Sequence, residues 1–328
     1  MMKKDKVLII TNKKDDAHAD ALISKCNKCG MGDRIIRFNT EEFHFNSDIM
    51  FDINNFNISI KDSKRKFKSD EIMSVWYRRP QKLLINGYSD KGVKNFIEQQ
   101  TEAVMRGLYF ILHDSAFWIN PLPALHKARH KLPQLVLAKD IGFRVPKTIV
   151  TNNPKEAEAF MKRVGKVCNK SLDEPNYWIN NKMYAYFTRK VESINEIAEN
   201  KESISSCPTF FQEYIEKKSD IRVVIIGNDV IAVEISSQDN CYSQVDFRGA
   251  SPHLLKHKKH KLPIEIEKMA LEFVKKSGLV FSSMDLVIDN KGEYIFIENN
   301  CNGQWLWLDQ LAGTDILDSD SMDSGYVS

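Results

Sequence analysis

The sequence lacks any run approaching the ~20 apolar residues that a membrane helix requires, so a helical membrane anchor is excluded and no membrane partner is expected. Its first apolar run, Val7 to Ile10 after MMKKDK, is short and no small-residue cleavage site follows it. It therefore reads as a first strand and not as an export signal. Cysteine is sparse: Cys26, Cys29, Cys168, Cys207, Cys241 and Cys301 are scattered along the chain. Without an export signal that scatter favours reduced thiols and a cytoplasmic protein. Cys26 and Cys29 form a CxxC pair, but zinc needs four ligands and no second pair lies at a suitable spacing, so two ordinary thiols are expected. An excess of one charge is also missing. The formal net charge of +3 is too small to point to nucleic acid, and the basic runs 64–66 and 256–261 read as solvated loops, able at most to attract an acidic substrate. Internal repeats, long low-complexity tracts and a GxSxG or papain-like motif are absent, so nothing supports a covalent nucleophile.

What is present is a globular balance of 42% hydrophobic and 28% charged residues over 328 positions, enough for two or three lobes at roughly 100–200 residues per domain. Residues 1–120 open with a strand, a loop and a helix spaced over 17–29. Short Ile-, Phe- and Val-rich segments at 35–38, 50–53, 57–60 and 72–77 follow, then an amphipathic helix over 96–112, which together predict an N-terminal α/β lobe. Residues 121–209 predict a central α+β lobe. It begins with a helix over 124–141 in which Pro133 must sit in the first turn or force a break, and continues with a strand, helix and strand from 148 to 169. Residues 210–317 predict a third lobe. A strand at 210–215 leads to a hairpin around Gly227-Asn228-Asp229, a helix over 263–277 and a second hairpin around Asp289-Asn290-Lys291-Gly292. The polar tail 318–328 reads as disordered.

Chemistry gathers on the second hairpin. Glu298 and Asn300 are two apart and share a strand face, and Asp285 can lie across from them. Two carboxylates and an amide supply hard oxygen ligands of the kind Mg2+ takes while drawing its remaining ligands from water and nucleotide phosphates. Turn chemistry at a hairpin end is the ordinary alternative.

The chain resembles the ATP-grasp superfamily, and within it the maturases of microviridin-like, ω-ester and ω-amide linked peptides called graspetides. The resemblance is carried in order by Ser74-Val75-Trp76-Tyr77-Arg78-Arg79-Pro80, Trp118-Ile119-Asn120-Pro121, Lys131 with Gln134-Leu135 and Ala138, and Gly142-Phe143 to Pro146-Lys147-Thr148. It continues through Asp220-Ile221-Arg222-Val223, Ser237-Gln238, Val245-Asp246-Phe247-Arg248 and Glu298-Asn299-Asn300-Cys301-Asn302-Gly303-Gln304-Trp305. It implies an ATP-grasp fold with N-terminal α/β, central and C-terminal lobes, and ATP and Mg2+ as cofactors. Lys131 and Lys170 would reach nucleotide phosphates, and Gln212, Glu213, Tyr214 and Ile215 would meet adenine with main-chain groups. Asp220 would sit near the ribose or at the start of a substrate channel. Arg222 and Arg248 would face the phosphoryl groups in transfer, and Asp285, Glu298 and Asn300 would hold the metal. For Arg78 and Arg79, burial as structure and contact with a substrate carboxylate both fit. Trp305 and Trp307 fit either packing or a substrate wall. Two departures stand out: Cys301 takes the place of a proline, and the helix that normally closes the chain is shortened or missing.

The activity so implied is peptide macrocyclisation. An Asp or Glu side chain of a leader-bearing ribosomal precursor is activated as an acyl phosphate, and a Ser, Thr or Lys of the same peptide closes an ester or amide. The leader would dock as a short helix near 171–186, and a homodimer is the common oligomeric state. Two other readings share the ATP site. One is a ligase for amino acids or small peptides, like the ribosomal-protein glutamate ligases and glutathione synthetases. The other is a non-catalytic ATP- or peptide-binding protein.

Overall fold

The computed structural model describes residues 4–14, 16–43, 48–54, 57–61, 66–173, 176–180 and 182–318. Lys64 and Arg65 of the first basic run, and the tail beyond Asp318, lie outside the described residues. The first lobe is built on β1 (Lys6–Thr11), α1 (Ala17–Lys28), β2 (Ile35–Asn39), β3 (Asp48–Asp52), β4 (Asn57–Lys61), β5 (Lys66–Lys68), β6 (Ile72–Tyr77), α2 (Lys91–Ser115) and β7 (Phe117–Ile119). Strands β2-β1-β6-β7 form a parallel sheet, and β3-β4-β5 a small antiparallel one. The unbroken apolar run of β1 fits this placement, because a central parallel strand is covered on both faces; Leu8, Ile9 and Ile10 are fully buried. Helix α1 starts where the Asp16 carboxylate accepts from the Ala19 N–H, satisfying one of the orphan donors of the first turn.

The middle of the chain holds α3 (Leu122–Ala128), α4 (Lys131–Ile141), β8 (Thr148–Thr151), α5 (Pro154–Val164), β9 (Val167–Lys170), β10 (Asn176–Ile179), β11 (Lys182–Ala185), β12 (Arg189–Val191), α6 (Ile194–Glu199), α7 (Lys201–Ser206) and β13 (Thr209–Glu213). The antiparallel sheet β12-β9-β13-β8 packs on α5 and α6, and β10-β11 is a separate hairpin. The single helix expected over 124–141 is instead two, interrupted at Arg129 and His130. Pro133 cannot donate, and the restart at Lys131 puts it in a first turn, where no donor is needed.

The third sheet, β16-β15-β14-β17-β18, is wholly antiparallel. It comprises β14 (Lys217–Ile226), β15 (Asp229–Ile235), β16 (His257–His260), β17 (Phe281–Asp289) and β18 (Tyr294–Asn300), with α8 (Ile264–Lys276) and α9 (Leu306–Ala312) beside it. Both predicted hairpins are present. The basic run 256–261 is not a loop: His257–His260 forms the edge strand β16, where lysines protect an open edge. After β18 the described residues form one short helix, α9. Trp305, at its start, is fully buried with Val224, Phe281 and Leu308, so it packs and is not an exposed wall. A Cβ at Gly303 would come 2.3 Å from the Ser283 Cβ, so only glycine lets the loop after β18 lie this close to β17.

Several side-chain amides bind these layers together. Asn120 Nδ2 donates to the Phe281 and Cys301 carbonyls, and its Oδ1 accepts from the Val280 and Phe281 N–H groups. Gln134 of α4 does the same for β18, donating to Asn299 O and accepting from Asn299 N–H. Asn120 makes four bonds and Gln134 three, its other donor going to Ala128 O, so the site-bearing strands are held from outside the sheet.

Candidate active site

A cleft of about 500 Å3 opens between the second and third sheets, within the ~300–1,000 Å3 range of small-molecule sites. Lys131, Lys170, Gln212, Glu213, Tyr214, Ile215, Asp220, Arg248, Asp285, Glu298 and Asn300 all line it. These residues come from separate strands, helices and loops, and the fold brings them to one place. Arg222, the remaining predicted residue, is set behind the others. It is buried, and its Nη1 lies 3.0 Å from Asp285 Oδ1 and donates to Ser283 Oγ.

Sheet register explains the acidic centre. Arg222 of β14 stands opposite Asp285 of β17, and Asp285 stands opposite Glu298 of β18. Asn300 Nδ2 lies 3.4 Å from both Asp285 Oδ2 and Glu298 Oε1; turning the amide over would present Oδ1 to the same space. Burial pushes the Asp285 carboxyl up to about 6, with Arg222 and Arg248 opposing the rise and Glu298 adding to it. Burial also pushes Glu298 up, but Arg248, Lys170, Lys131 and the Asn300 amide outweigh it and hold this carboxylate below its usual range. Two crowded carboxylates, one of them reluctant to ionise, form a set that a divalent cation would relieve. Among the described residues no cluster of three or more His, Cys, Asp or Glu forms a metal site, so the centre has two carboxylates and an amide, a donor set of the hard kind that suits Mg2+.

Cations surround this centre without closing on it. Lys131 Nζ is 3.9 Å from Glu298 Oε2, and Arg248 Nη1 is 3.8 Å from Glu298 Oε1. Lys170 donates to Gln212 Oε1 at 2.9 Å, and Gln212 donates onward to Thr148 Oγ1. Arg248 is held by Asp246 through two parallel bonds of 2.8 and 2.7 Å, and that hydrogen-bonded partner raises its pKa, so it stays charged. Arg222 lies over the Phe247 and Trp307 rings, 5.5 and 5.9 Å from their centroids. Trp307 thus backs a site arginine.

The segment after β13 departs from expectation in detail. Strand β13 ends at Glu213, and the Glu213 and Tyr214 N–H groups donate to the Lys147 and Lys166 carbonyls. These two donors are therefore already paired within the chain. Asp220 accepts from Lys217 at 2.8 Å and from the Ser237 hydroxyl. Cys168, also in the cleft wall, is pushed up by burial and stays a neutral thiol, so it is no nucleophile.

Two sets of residues escaped the sequence reading. Lys217 and Asp246 position Asp220 and Arg248; Asp246 lay inside a recognised segment, whereas a lysine in a mixed-charge run carried no signal. The second set is Asp16 and His18, which with Arg78 form a buried node between the first and third sheets. Arg78 Nη1 donates to the Asn302 and Gly303 carbonyls, just after β18, and its Nε is 3.5 Å from Asp16 Oδ1. His18 Nε2 accepts from the Trp305 and Leu306 N–H groups at 3.0 and 3.2 Å, so it caps α9. Burial, then Arg78 and Arg79, lowers its pKa to about 3. Arg78 is therefore structural; a lone histidine on a helix gave no hint of its role.

Residues 6–126 match the family described as MvdD pre-ATP grasp domain, and residues 128–320 match the RimK-like ATP-grasp domain. No curated protein matches the chain. A solved RiPP-associated ATP-grasp ligase from Chryseobacterium gregarium, in complex with ADP and a leader and core peptide, is 27% identical with a TM-score of 0.86, over 98% of this chain and 96% of its own. Macrocyclase MdnC from Microcystis aeruginosa MRC, bound with precursor peptide MdnA, is 25% identical with a TM-score of 0.84, over 97% and 98%. Macrocyclase MdnB from the same source, at 24% identity and a TM-score of 0.77 over 96% and 98%, shares the fold.

Proposed function

The chain belongs to the RimK-like ATP-grasp family, and from that premise we propose that this ligase is a peptide macrocyclase acting on a leader-bearing ribosomal precursor with ATP and Mg2+. The observation that carries the reading is the convergence of Asp285, Glu298 and Asn300 with Arg248, Lys131 and Lys170 on one cleft, in a chain that covers nearly all of two peptide-bound relatives. A carboxylate oxygen of a precursor Asp or Glu attacks the γ-phosphorus of ATP as the bond to ADP breaks. A Ser or Thr hydroxyl, or a Lys amine, of the same peptide then adds to the acyl carbon. Phosphate departs, and the nucleophile's proton passes to phosphate or water.

The protein's work in these steps is charge placement and proximity. Asp285, Glu298 and Asn300 would hold the metal, which supplies charge neutralisation at the phosphates when bound. Lys131 and Lys170 offer mobile point charges at the same wall. Arg248, its Nε and Nη2 held by Asp246, stays charged and keeps Nη1 on the side of Glu298 for the transferring group, and Arg222 steadies Asp285 from behind. Cleft residues 212–215 and Asp220 serve the nucleoside end. The hairpin β10-β11 beside the cleft, with Tyr177, Trp178, Ile179 and Met183 largely exposed, is the surface proposed to receive the apolar side of the leader.

The test is to incubate the protein with Mg2+, ATP and a precursor encoded beside it, then read the peptide mass. Loss of one water per ring, abolished by Glu298→Ala, supports the proposal. ATP consumption with free amino acids and no change in the peptide moves the assignment to an amino-acid ligase, and no ATP turnover with either substrate to a binding protein. Trp178→Ala should weaken binding of leader-bearing peptide without changing affinity for ATP.

A further inference from the structure

Strand β16 is the edge of the third sheet: it pairs with β15 and, among the described residues, with no other strand. The Ser236 N–H donates to the Lys256 carbonyl at 3.0 Å, which makes these two a hydrogen-bonded pair. Antiparallel alternation then turns the main-chain groups of Lys258 and His260 inward to β15 and those of His257 and Lys259 outward. A row of N–H groups and carbonyls thus faces away from the sheet, a template for one more strand.

The side chains give that template a sign. Residues 256–261 are all lysine or histidine, in a chain whose formal net charge is only +3, so the charge is a local feature of this edge. Lys259 lies 3.6 Å from Asp315 and His260 lies 3.5 Å from Glu234. Lys256, Lys258 and Lys261 are exposed and form no ion pair among the described residues. Leu254 and Ile264, 68% and 65% exposed, bracket the run with apolar side chains. The lysines repel a second copy of the same strand, which removes edge-to-edge self-pairing as its use. Nucleic acid would meet the charge but offers no peptide groups to continue the ladder.

We infer that β16 is an exosite for an extended, acidic stretch of the substrate peptide, which adds as a strand at His257 and Lys259 and sets its carboxylates against Lys256, Lys258 and Lys261. The inference rests on the macrocyclase reading for the identity of the peptide, because a substrate that spends one Asp or Glu on each ring is necessarily rich in carboxylates. Lys259, Val233, Arg222, Asp285 and Glu298 stand opposite one another in turn across the sheet. At ~4.8 Å per strand the edge is therefore about 19 Å from Glu298 along the sheet, a span of about six extended residues. One peptide can occupy the edge and the cleft together, and holding it at the edge raises its effective concentration at the cleft.

The experiment measures fluorescence anisotropy of a labelled peptide alternating Glu and Thr, with the full chain and without ATP. The probe should bind, more weakly in high salt, and its Gln-Thr counterpart should bind less well. Combined Lys256→Glu, Lys258→Glu and Lys261→Glu should lower affinity by roughly tenfold or more, and Lys→Gln at the same three positions by a smaller factor, with melting temperatures like that of the wild type. Lys259→Pro removes an outward N–H without touching the β15 ladder, so it should bind the probe several-fold less tightly than Lys259→Ala. Unchanged binding after both sets of lysine substitutions overturns the choice of surface. Equal binding by the Pro and Ala variants overturns strand addition. Displacement of the probe by oligouridylate as readily as by unlabelled peptide overturns the peptide as partner. Since the probe is read without ATP, a protein that binds it yet turns over ATP only with free amino acids loses the macrocyclase reading and keeps the edge as an acidic-peptide site.

Discussion

Two polar clusters flank the strand β18 and its following loop, one lining the open cleft and one buried between sheets, and they are built in opposite ways. In the cleft, Asp285 and Glu298 face Arg248, Lys131 and Arg222 at distances from 3.0 to 3.9 Å, with several of the contacts loose and side chain to side chain. In the node between sheets, Arg78 and His18 are committed to main-chain groups of residues 302–306. Loose, nearly balanced charge can be redistributed when a ligand arrives, because the long contacts to Lys131 and Arg248 are weak to break. Charge bound to backbone cannot be redistributed without moving the chain. The first arrangement suits chemistry and the second suits holding the chemistry in place.

Substitutions should separate the two. Glu298→Ala should cost roughly a thousand-fold in ATP turnover, since several kcal/mol of charge stabilisation would go with the metal, yet leave the melting temperature nearly unchanged; a coupled ADP assay and a thermal melt read both. Arg78→Ala should do the reverse. It leaves Asp16 buried without its cation and should lower unfolding free energy by about 3–5 kcal/mol in urea titrations, so a variant that melts like wild type but has lost turnover would break the comparison. Asp246→Asn frees the Arg248 fork and should reduce turnover by about 10–100-fold, the usual effect of removing a supporting partner, with little change in stability.

The smallest effect is a pH dependence. His18 has a folded pKa of about 3, below its unfolded value near 6.5, so the unfolded chain binds the extra proton. Its contribution is intact above pH 6.5 and is lost progressively as pH falls toward 3, by about 1 kcal/mol at pH 5.5. Denaturation at pH 7.5 and 5.5 should show that loss, and His18→Gln should remove this part of it. The structural cause is visible: protonated Nε2 can no longer accept from the Trp305 and Leu306 N–H groups that it caps.

The cleft was legible because its logic is local. Glu298 and Asn300 share a face by strand alternation, and a short turn brings Asp285 across from them, so spacing alone predicted their meeting. Lys131, Lys170 and the 212–215 segment became candidates only through the family resemblance. The node was not legible, since His18 and Trp305 are 287 positions apart and no local periodicity refers one to the other. Arg222 shows an intermediate case: its strand and neighbours were predictable, but its burial behind Asp285 depends on which strand lies beside β14.

By itself the sequence determined most element types, both hairpins and the meeting of two carboxylates and an amide at Asp285, Glu298 and Asn300, because propensity, alternation and turn chemistry act over a few residues. Tertiary structure alone decided that Lys131 and Lys170 approach the same carboxylate, Glu298, that Asp246 holds Arg248 and that Arg78 and His18 grip the loop after β18. Each of these rests on burial and electrostatics between segments far apart in the chain, where the free energy comes from removing groups from water together, and no short stretch of residues encodes that.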